Sequence, residues 1–328
     1  MYATDSGPFH STYCWDAWHE DSGAAFLDDE ELEKSGSRRE GSDTAPPSAR
    51  HPRATCWVEM TSTSDRDASG PSVRFGERIT VDYGPVPGGA ADRHAWLAQN
   101  LHGSAAPLPD GLDGVVGGDR AMLVLPEECD VSGRPSAVTI RAESWGEGSA
   151  GKKHLLITIG SPTVVAGLLL DVANTAMEKA GCAPPEPLRS TSPFVTVAED
   201  DDDVEDPLCR IPGVRLNLNR QSYYRQQVGA VTDRLQTCSV TWRPLGEEGE
   251  PVAQYVMTSA PRLTALFDGL PEGGRDSLAR VTCDGRETVF YGHVNGAPAV
   301  DKAAVERSFE NFVASVGHRI GCRTEGTA

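Results

Sequence analysis

The sequence contains no long apolar run. Its longest uninterrupted stretch, around 164–170, is closed by Asp171, whereas a helix that spans a bilayer needs about 20 apolar residues. Basic residues are scarce: 30 Lys and Arg stand against 48 Asp and Glu, a formal net charge of −18. Binding to nucleic acid, and electrostatic docking on anionic lipid, both require clustered Lys and Arg, so this balance argues against both. The opening Met1-Tyr2-Ala3-Thr4-Asp5-Ser6-Gly7-Pro8 has neither a basic segment nor an apolar one and does not form a signal peptide. Catalytic and nucleotide-binding motifs are missing as well. The nearest approach to a nucleophile elbow, Gly148-Ser149-Ala150-Gly151, has Glu147 where the first glycine should stand. No G-x-x-x-x-G-K-[ST], no H-E-x-x-H and no strand followed by G-x-G-x-x-G occurs. The eight histidines are scattered, and none lies four residues from another on an expected helix. His318, one turn from the end of the last helix, simply complements the helix dipole. These absences lead to an expectation of no catalytic residue, no cofactor and no metal.

What is present is enough apolar content to fold, 38% of 328 residues, and a length that suits about two domains. The chain also has eight cysteines in two sets of four: Cys14, Cys56, Cys129, Cys182, then Cys209, Cys238, Cys283, Cys322. Their contexts repeat in order. Cys56 and Cys238 each sit inside a strand-like run, while Cys129-Asp130-Val131-Ser132-Gly133-Arg134 is echoed by Cys283-Asp284-Gly285-Arg286. Cys182 and Cys322 each follow a glycine at the end of a long amphipathic stretch. The repetition reads as an internal duplication. Metal binding would require C-x₂₋₄-C spacing or nearby histidines, and free thiols would not explain the matched order. Disulfides are therefore expected, and with them an oxidising compartment outside the cytoplasm. Requiring both repeats to pair internally and alike leaves three connectivities. Adjacent pairing is favoured among them: Cys14–Cys56, Cys129–Cys182, Cys209–Cys238 and Cys283–Cys322.

The hydrophobic periodicity predicts ββαββα in each repeat. In the second, strands at 237–243 and 252–259 flank a Gly246–Gly249 turn, with Cys238, Val240 and Trp242 on one strand face. Pro261 starts a short helix, and strands at 277–283 and 288–293 follow. Asp301 then caps a helix with an apolar stripe through Val305, Phe309, Phe312, Val316 and Ile320. In the first, strands are expected at 53–61, 73–83, 120–125 and 137–144, with an extra one at 155–159. Its helices fall near 93–101 and after Ser161-Pro162. Strands and helices mixed without βαβ alternation indicate an α+β fold built on antiparallel sheets. The expected organisation is a first disulfide-bonded repeat over 1–182, a Pro-rich acidic linker over 183–208 and a second repeat over 209–328. A further stretch of low order is expected at 33–53, which is rich in Ser, Arg, Gly and Pro.

Few stretches invite a chemical role. Asp65-Arg66-Asp67-Ala68-Ser69-Gly70 begins like a calcium loop, but the twelfth position is Gly76 instead of a bidentate Glu and strands flank it, so a hairpin turn is the expectation. The acidic run 199–206 reads as solvated chain. Directly after it come Arg210, Arg215, Arg220 and Arg225 with Tyr223 and Tyr224, the most basic aromatic stretch in an acidic chain. Arg with Tyr is typical of interface anchors, which makes Arg215, Arg220, Tyr223, Tyr224 and Arg225 candidate partner-binding residues. Tyr13, Trp15 and Trp18 form a second aromatic cluster, from which Trp15 and Trp18 are further candidates, although packing beside Cys14 is the simpler role.

The N-terminal residues from Tyr2 through His10, followed by Tyr13-Cys14-Trp15-Asp16-Ala17-Trp18 and by Ala54-Thr55-Cys56, resemble the start of the outer domain in a group of uncharacterised actinobacterial membrane proteins. The composition, weighted to Ala, Gly, Arg and Asp, is similar to theirs. The resemblance covers mainly the first 60 residues. It implies a single membrane helix ahead of the sequence and an extracytoplasmic location, and it carries no activity. The expectation is a non-catalytic ectodomain at the cell surface that engages a protein partner, as a docking receptor does. A cell-envelope hydrolase with a site between the repeats is the rival.

Overall fold

In the computed structural model the described residues are 12–20, 22–28, 37–64, 73–102, 104–146, 153–155, 159–195, 207–216, 224–242, 251–270, 276–295 and 302–322. They form two compact units, one from Met1–Val86 with Leu108–Phe194 and the other from Pro87–Pro107 with Val195–Ala328. Among the described residues no helix is long and apolar enough to cross a membrane. The fold is α+β, with antiparallel sheets and few helices.

The first unit is built on a sheet in the order Arg38–Asp43, Ala54–Ser64, Val73–Pro85, Ser136–Gly146, Arg120–Val124, Gly114–Val116. Neighbouring strands are antiparallel throughout. Cys56 and Val58 are buried while Thr55 and Trp57 between them are half-buried, the alternation of a sheet with one covered face. Ile79, Val81, Val138, Ile140 and Ala142 extend the covered face across the neighbouring strands.

Helix Pro162–Ala180 supplies the first unit's apolar layer through Val165, Leu168, Leu169, Val172, Ala176 and Met177. Its ends are set locally. The Ser161 side chain accepts from Val164 N and proline takes the first turn, while Gly181 at φ 77° lets Cys182 N reach the Met177 carbonyl at 3.0 Å. The strand Arg38–Asp43 lies inside the 33–53 stretch expected to be of low order. It is an edge strand with no buried side chain, so it carries no hydrophobic signal, and pairing with Ala54–Ser64 is what orders it. The extra strand expected at 155–159 is Lys153–Leu155.

In the second unit the order is Tyr224–Val228, Leu235–Trp242, Pro251–Thr258, Arg286–Val294, Asp276–Cys283, again antiparallel. One face packs Cys238, Val240, Tyr255, Met257 and Phe290 against Phe312 and Val316 of helix Lys302–Arg319. Gly292 admits that helix, because a Cβ there would meet Phe309 Cδ2 at 2.8 Å. Burial pushes the Tyr255 phenol up to about 12, against the opposing hydrogen bond it donates to Ser308 Oγ at 2.9 Å.

The second unit's other sheet face is covered too. Helix Ala90–Asn100, which periodicity alone assigned to the first domain, groups with this unit. Gln254 Nε2 donates to the Leu97 carbonyl, and Arg93 donates to the carbonyls of Pro87 and Asp268. Covering on both sides explains why Leu235–Thr241 is buried at every position instead of at alternate ones.

All four cysteine pairs are those of adjacent pairing: Cys14–Cys56, Cys129–Cys182, Cys209–Cys238 and Cys283–Cys322. They place the folded chain in an oxidising, extracytoplasmic environment. Two of them tie the last turn of a long helix to the end of a sheet strand or the short turn after it. The part of the linker over 183–195 is held to the first unit by Asp110, whose carboxylate accepts from the backbone N–H and hydroxyl of both Thr191 and Ser192. These bonds hold the Asp110 carboxyl down to about 2, below its ordinary 3.8.

Two outcomes follow. Replacing Cys129 and Cys182 together by Ala should lower the first unit's stability by about 4 kcal/mol on the chain-entropy model, read by urea unfolding followed through Trp fluorescence. Because the Asp110 pKa is depressed in the folded state, the clamp is intact above pH 4 and is lost as pH falls toward 2. At neutral pH, Asp110→Asn should therefore speed tryptic cleavage after Arg189, and an unchanged cleavage rate would remove Asp110 from that role.

Candidate functional site

The residues first considered for partner binding separate into three groups. Trp18 is fully buried, donating from Nε1 to the Leu168 carbonyl at 2.9 Å, and Trp15 is 5% exposed, donating to the Thr44 carbonyl. Both belong to the core around Cys14–Cys56 and offer no surface to a partner. Asp43 sits beside that bridge, but its two oxygens accept from Cys14 N and Trp15 N, and the sulfurs are bonded to each other. The cluster is a backbone cap, not a metal site.

Arg215 and Arg225 are exposed, the latter on the edge strand Tyr224–Val228, while Tyr224 is half-buried against the core. Arg220 and Tyr223 lie outside the described residues, as do the loop 65–70, the Gly/Ser stretch 147–152, the turn 246–249 and the acidic run 199–206.

A different surface emerges on the half-exposed face of the first unit's sheet. Antiparallel register sets Trp57 on one strand, Arg78 and Gly76 on the next, and Trp145 opposite Gly76 on the third. Arg78 lies over the Trp57 ring at 4.5 Å and pairs with Glu59 at 2.6 Å. Trp145 Nε1 donates to the same Glu59 oxygen at 3.4 Å, and Arg74 lies 5.9 Å from the Trp145 ring centre. Gly76 is required here, since a Cβ would stand 2.1 Å from the Trp145 ring. The result is a continuous stripe of Arg74, Trp145, Glu59, Arg78 and Trp57, in which one nearly buried carboxylate holds Arg78 and Trp145, which in turn meet the Trp57 ring and Arg74. Arg, Trp and Tyr with stems held in place are what interface anchors are made of, because little rotamer entropy is left to lose on binding.

The second unit carries a groove of about 420 Å³ lined by Val195, Ile211, Val228, Val231, Val316 and Arg319, among others. Val195 and Val231 are 46% and 51% exposed. The Arg319 guanidinium donates to the Thr232 carbonyl at 3.1 Å and to Gln236 Oε1 at 2.7 Å. Burial lowers its pKa, opposed by the nearby Asp233 carboxylate. In the same unit His94 Nδ1 meets the Tyr291 hydroxyl at 2.9 Å, and the His94 and His293 rings stack 6.0 Å apart. This aromatic layer seats helix Ala90–Asn100 on the sheet.

No protein-family model, curated protein or solved structure matches the chain.

The stripe was not legible from the sequence, since its members lie on three strands and meet only once the register is known. The one local sign was Gly76, a glycine inside a strand pattern. Removing the shared carboxylate should cost stability locally. Glu59→Gln is expected to weaken the first unit by about 2 kcal/mol, the scale of a charge-assisted hydrogen bond, with a loss of the Trp57 and Trp145 fluorescence environment. Urea unfolding of the variant, compared with Glu143→Gln on the same face, measures it.

Proposed function

We propose that the chain is a non-catalytic extracytoplasmic binding ectodomain, held at the cell surface by an anchor outside the sequence, which engages a protein partner through the Trp57–Arg78–Glu59–Trp145–Arg74 stripe. That stripe is the observation that carries the reading. It presents preorganised Arg and Trp on a sheet face whose opposite side buries Cys56, Val58, Ile79, Val81 and Ile140 in the core. Two sources of affinity coincide there: apolar ring area and charged donors that need little further ordering. With two arginines against one carboxylate, the stripe favours a partner that is acidic around its contact patch, since like charge across an interface slows association.

We also propose that the two units descend from one duplicated module. Support comes from the shared strand order and from bridges at equivalent places. It comes further from the backbone, where Cys14-Trp15 and Cys209-Arg210 both take positive φ, as do Ser132-Gly133 and Asp284-Gly285. Gly181 and Gly321 end the long helices in the same left-handed way. In this reading the second unit's sheet has gained a cover, helix Ala90–Asn100, while the first unit's face stays free for binding.

The test uses the full disulfide-bonded chain carrying a photo-crosslinker at position 74 or, as control, at position 286, applied to intact actinobacterial cells. Crosslinking of one envelope protein from position 74 alone is expected, and Trp145→Ala is expected to weaken its capture about 30-fold, the scale of an interface anchor. Equal crosslinking from both positions, or capture that survives Trp145→Ala and Arg78→Ala, would overturn the assignment of this face.

A further inference from the structure

We infer that the groove of the second unit binds a linear aliphatic carboxylate of the fatty-acid class. Its walls are branched aliphatic side chains, Ile211, Val228 and Val316 below and the exposed Val195 and Val231 at the rim. Large apolar side chains left half-exposed on facing sides of one concavity mark a place where hydrocarbon gains by leaving water. Each methylene that enters such a site strengthens binding roughly four-fold.

The walls also decide between a hydrocarbon and a peptide. The backbone N–H groups that face a groove are what an extended peptide would use, and five of those in this lining are spent. Cys209 N donates to Gln226 Oε1, Arg210 N to the Pro207 carbonyl and Ile211 N to the Leu208 carbonyl. Gly229 N donates to the Thr237 carbonyl and Ala230 N to the Ala105 carbonyl. With these donors spent, the wall favours a ligand that asks for few hydrogen bonds along its length over an extended polypeptide.

One end of the ligand must nevertheless be anionic. Arg319 stands in the lining, and the acceptors that hold its guanidinium, the Thr232 carbonyl and the Gln236 amide oxygen, are neutral. The cation is thereby oriented without being neutralised by direct contact, and Arg210 is a second cation in the same lining. With Nη2 spent on those acceptors, the guanidinium keeps single N–H donors on Nε and Nη1, each able to give one charge-assisted hydrogen bond to a carboxylate oxygen.

The test is isothermal titration of decanoate into the full disulfide-bonded chain, beside decanol, decylamine and hexanoate. One saturable site is expected for decanoate, with decanol and decylamine weaker by about ten-fold or more, the scale of one charged contact. Hexanoate should bind more weakly than decanoate, as shorter chains bury less. Val231→Asp, at a half-exposed rim position that does not support the core, should weaken decanoate about ten-fold. Arg319→Gln should do the same and Arg319→Lys should recover most of the loss, which separates charge recognition from a structural role of the side chain. Absence of a saturable site, decylamine binding as tightly as decanoate, or undiminished binding by a folded Val231→Asp variant would each overturn the inference. None of these outcomes depends on the stripe in the first unit, so the two readings stand or fall separately.

Discussion

An antiparallel sheet must hide at least one of its faces, and in both units the cover is a long helix fastened at its last turn by a disulfide. Helix Pro162–Ala180 ends at Gly181 and is tied through Cys182 to Cys129, just beyond the strand Arg120–Val124. Helix Lys302–Arg319 ends at Gly321 and is tied through Cys322 to Cys283, the last residue of Asp276–Cys283. A left-handed glycine turns the chain back toward the sheet, and the next residue is the cysteine that meets it. The angle at which the helix leaves its final turn is thus fixed by covalent geometry as well as by packing. Tyr255, Phe290 and Phe312 in the second unit, and Leu168, Val172 and Met177 in the first, fill the space that this fastening defines.

From that shared frame the two units diverge in what they do with the second sheet face. In the second unit Val256, Tyr291 and Gln254 face Leu97, Phe267 and His94, so the sheet is an inner layer. Its strands read as continuous apolar and small polar runs, and polar side chains such as Gln254 are buried completely. In the first unit the corresponding face carries Trp57, Arg78 and Trp145, with Arg78 and Trp145 held by Glu59 and the Trp57 ring under Arg78. A fold that buries one face and decorates the other has a surface on which substitutions leave the core untouched, and that is where binding can be placed at low cost to stability.

Much of this was legible in the chain because it rests on local rules. The strands expected at 53–61, 73–83, 120–125 and 137–144 announced themselves by hydrophobic periodicity. The helix at 162–180 did so by Ser-Pro ahead of it and Gly after it. The matched contexts narrowed the cysteine pairing to three connectivities, and the favoured adjacent one is found. What failed was whatever depended on a remote partner. Arg38–Asp43 is polar and becomes a strand only because its neighbour offers a row of hydrogen-bonding groups. Helix Ala90–Asn100 has an ordinary amphipathic pattern, which states that it will cover a sheet but not which one. For Trp15 and Trp18 the simpler of the two roles weighed, packing beside Cys14, is the one found, and each indole N–H meets a backbone carbonyl inside the first unit. The stripe and the groove were invisible for the same reason, being assembled across strands and loops far apart in sequence.

The elbows at the first cysteine of each unit show where the fold tolerates strain. Cys14, Trp15 and Asp16 follow one another at φ 54°, 62° and 75°, and Cys209 and Arg210 at φ 50° and 58°. Each non-glycine residue in that region costs of order 1 kcal/mol or more, so consecutive ones persist only where several contacts demand them. Those contacts are present twice over. Each elbow is bonded by its cysteine to the middle of a sheet strand, Cys56 or Cys238. Each is also capped by a side chain from the adjacent edge strand, Asp43 on Cys14 N and Trp15 N, and Gln226 on Cys209 N. The same strained backbone is thus held in the two units by two different capping chemistries, a carboxylate in one and an amide in the other. The elbow sets the path by which the chain arrives at the edge strand, and the edge strand in turn fixes the register of Ala54–Ser64 or Leu235–Trp242 beside it. In the first unit that register is what brings Trp57 and Glu59 into line with Arg78, so a strained turn beside Cys14 positions a stripe of side chains two strands away.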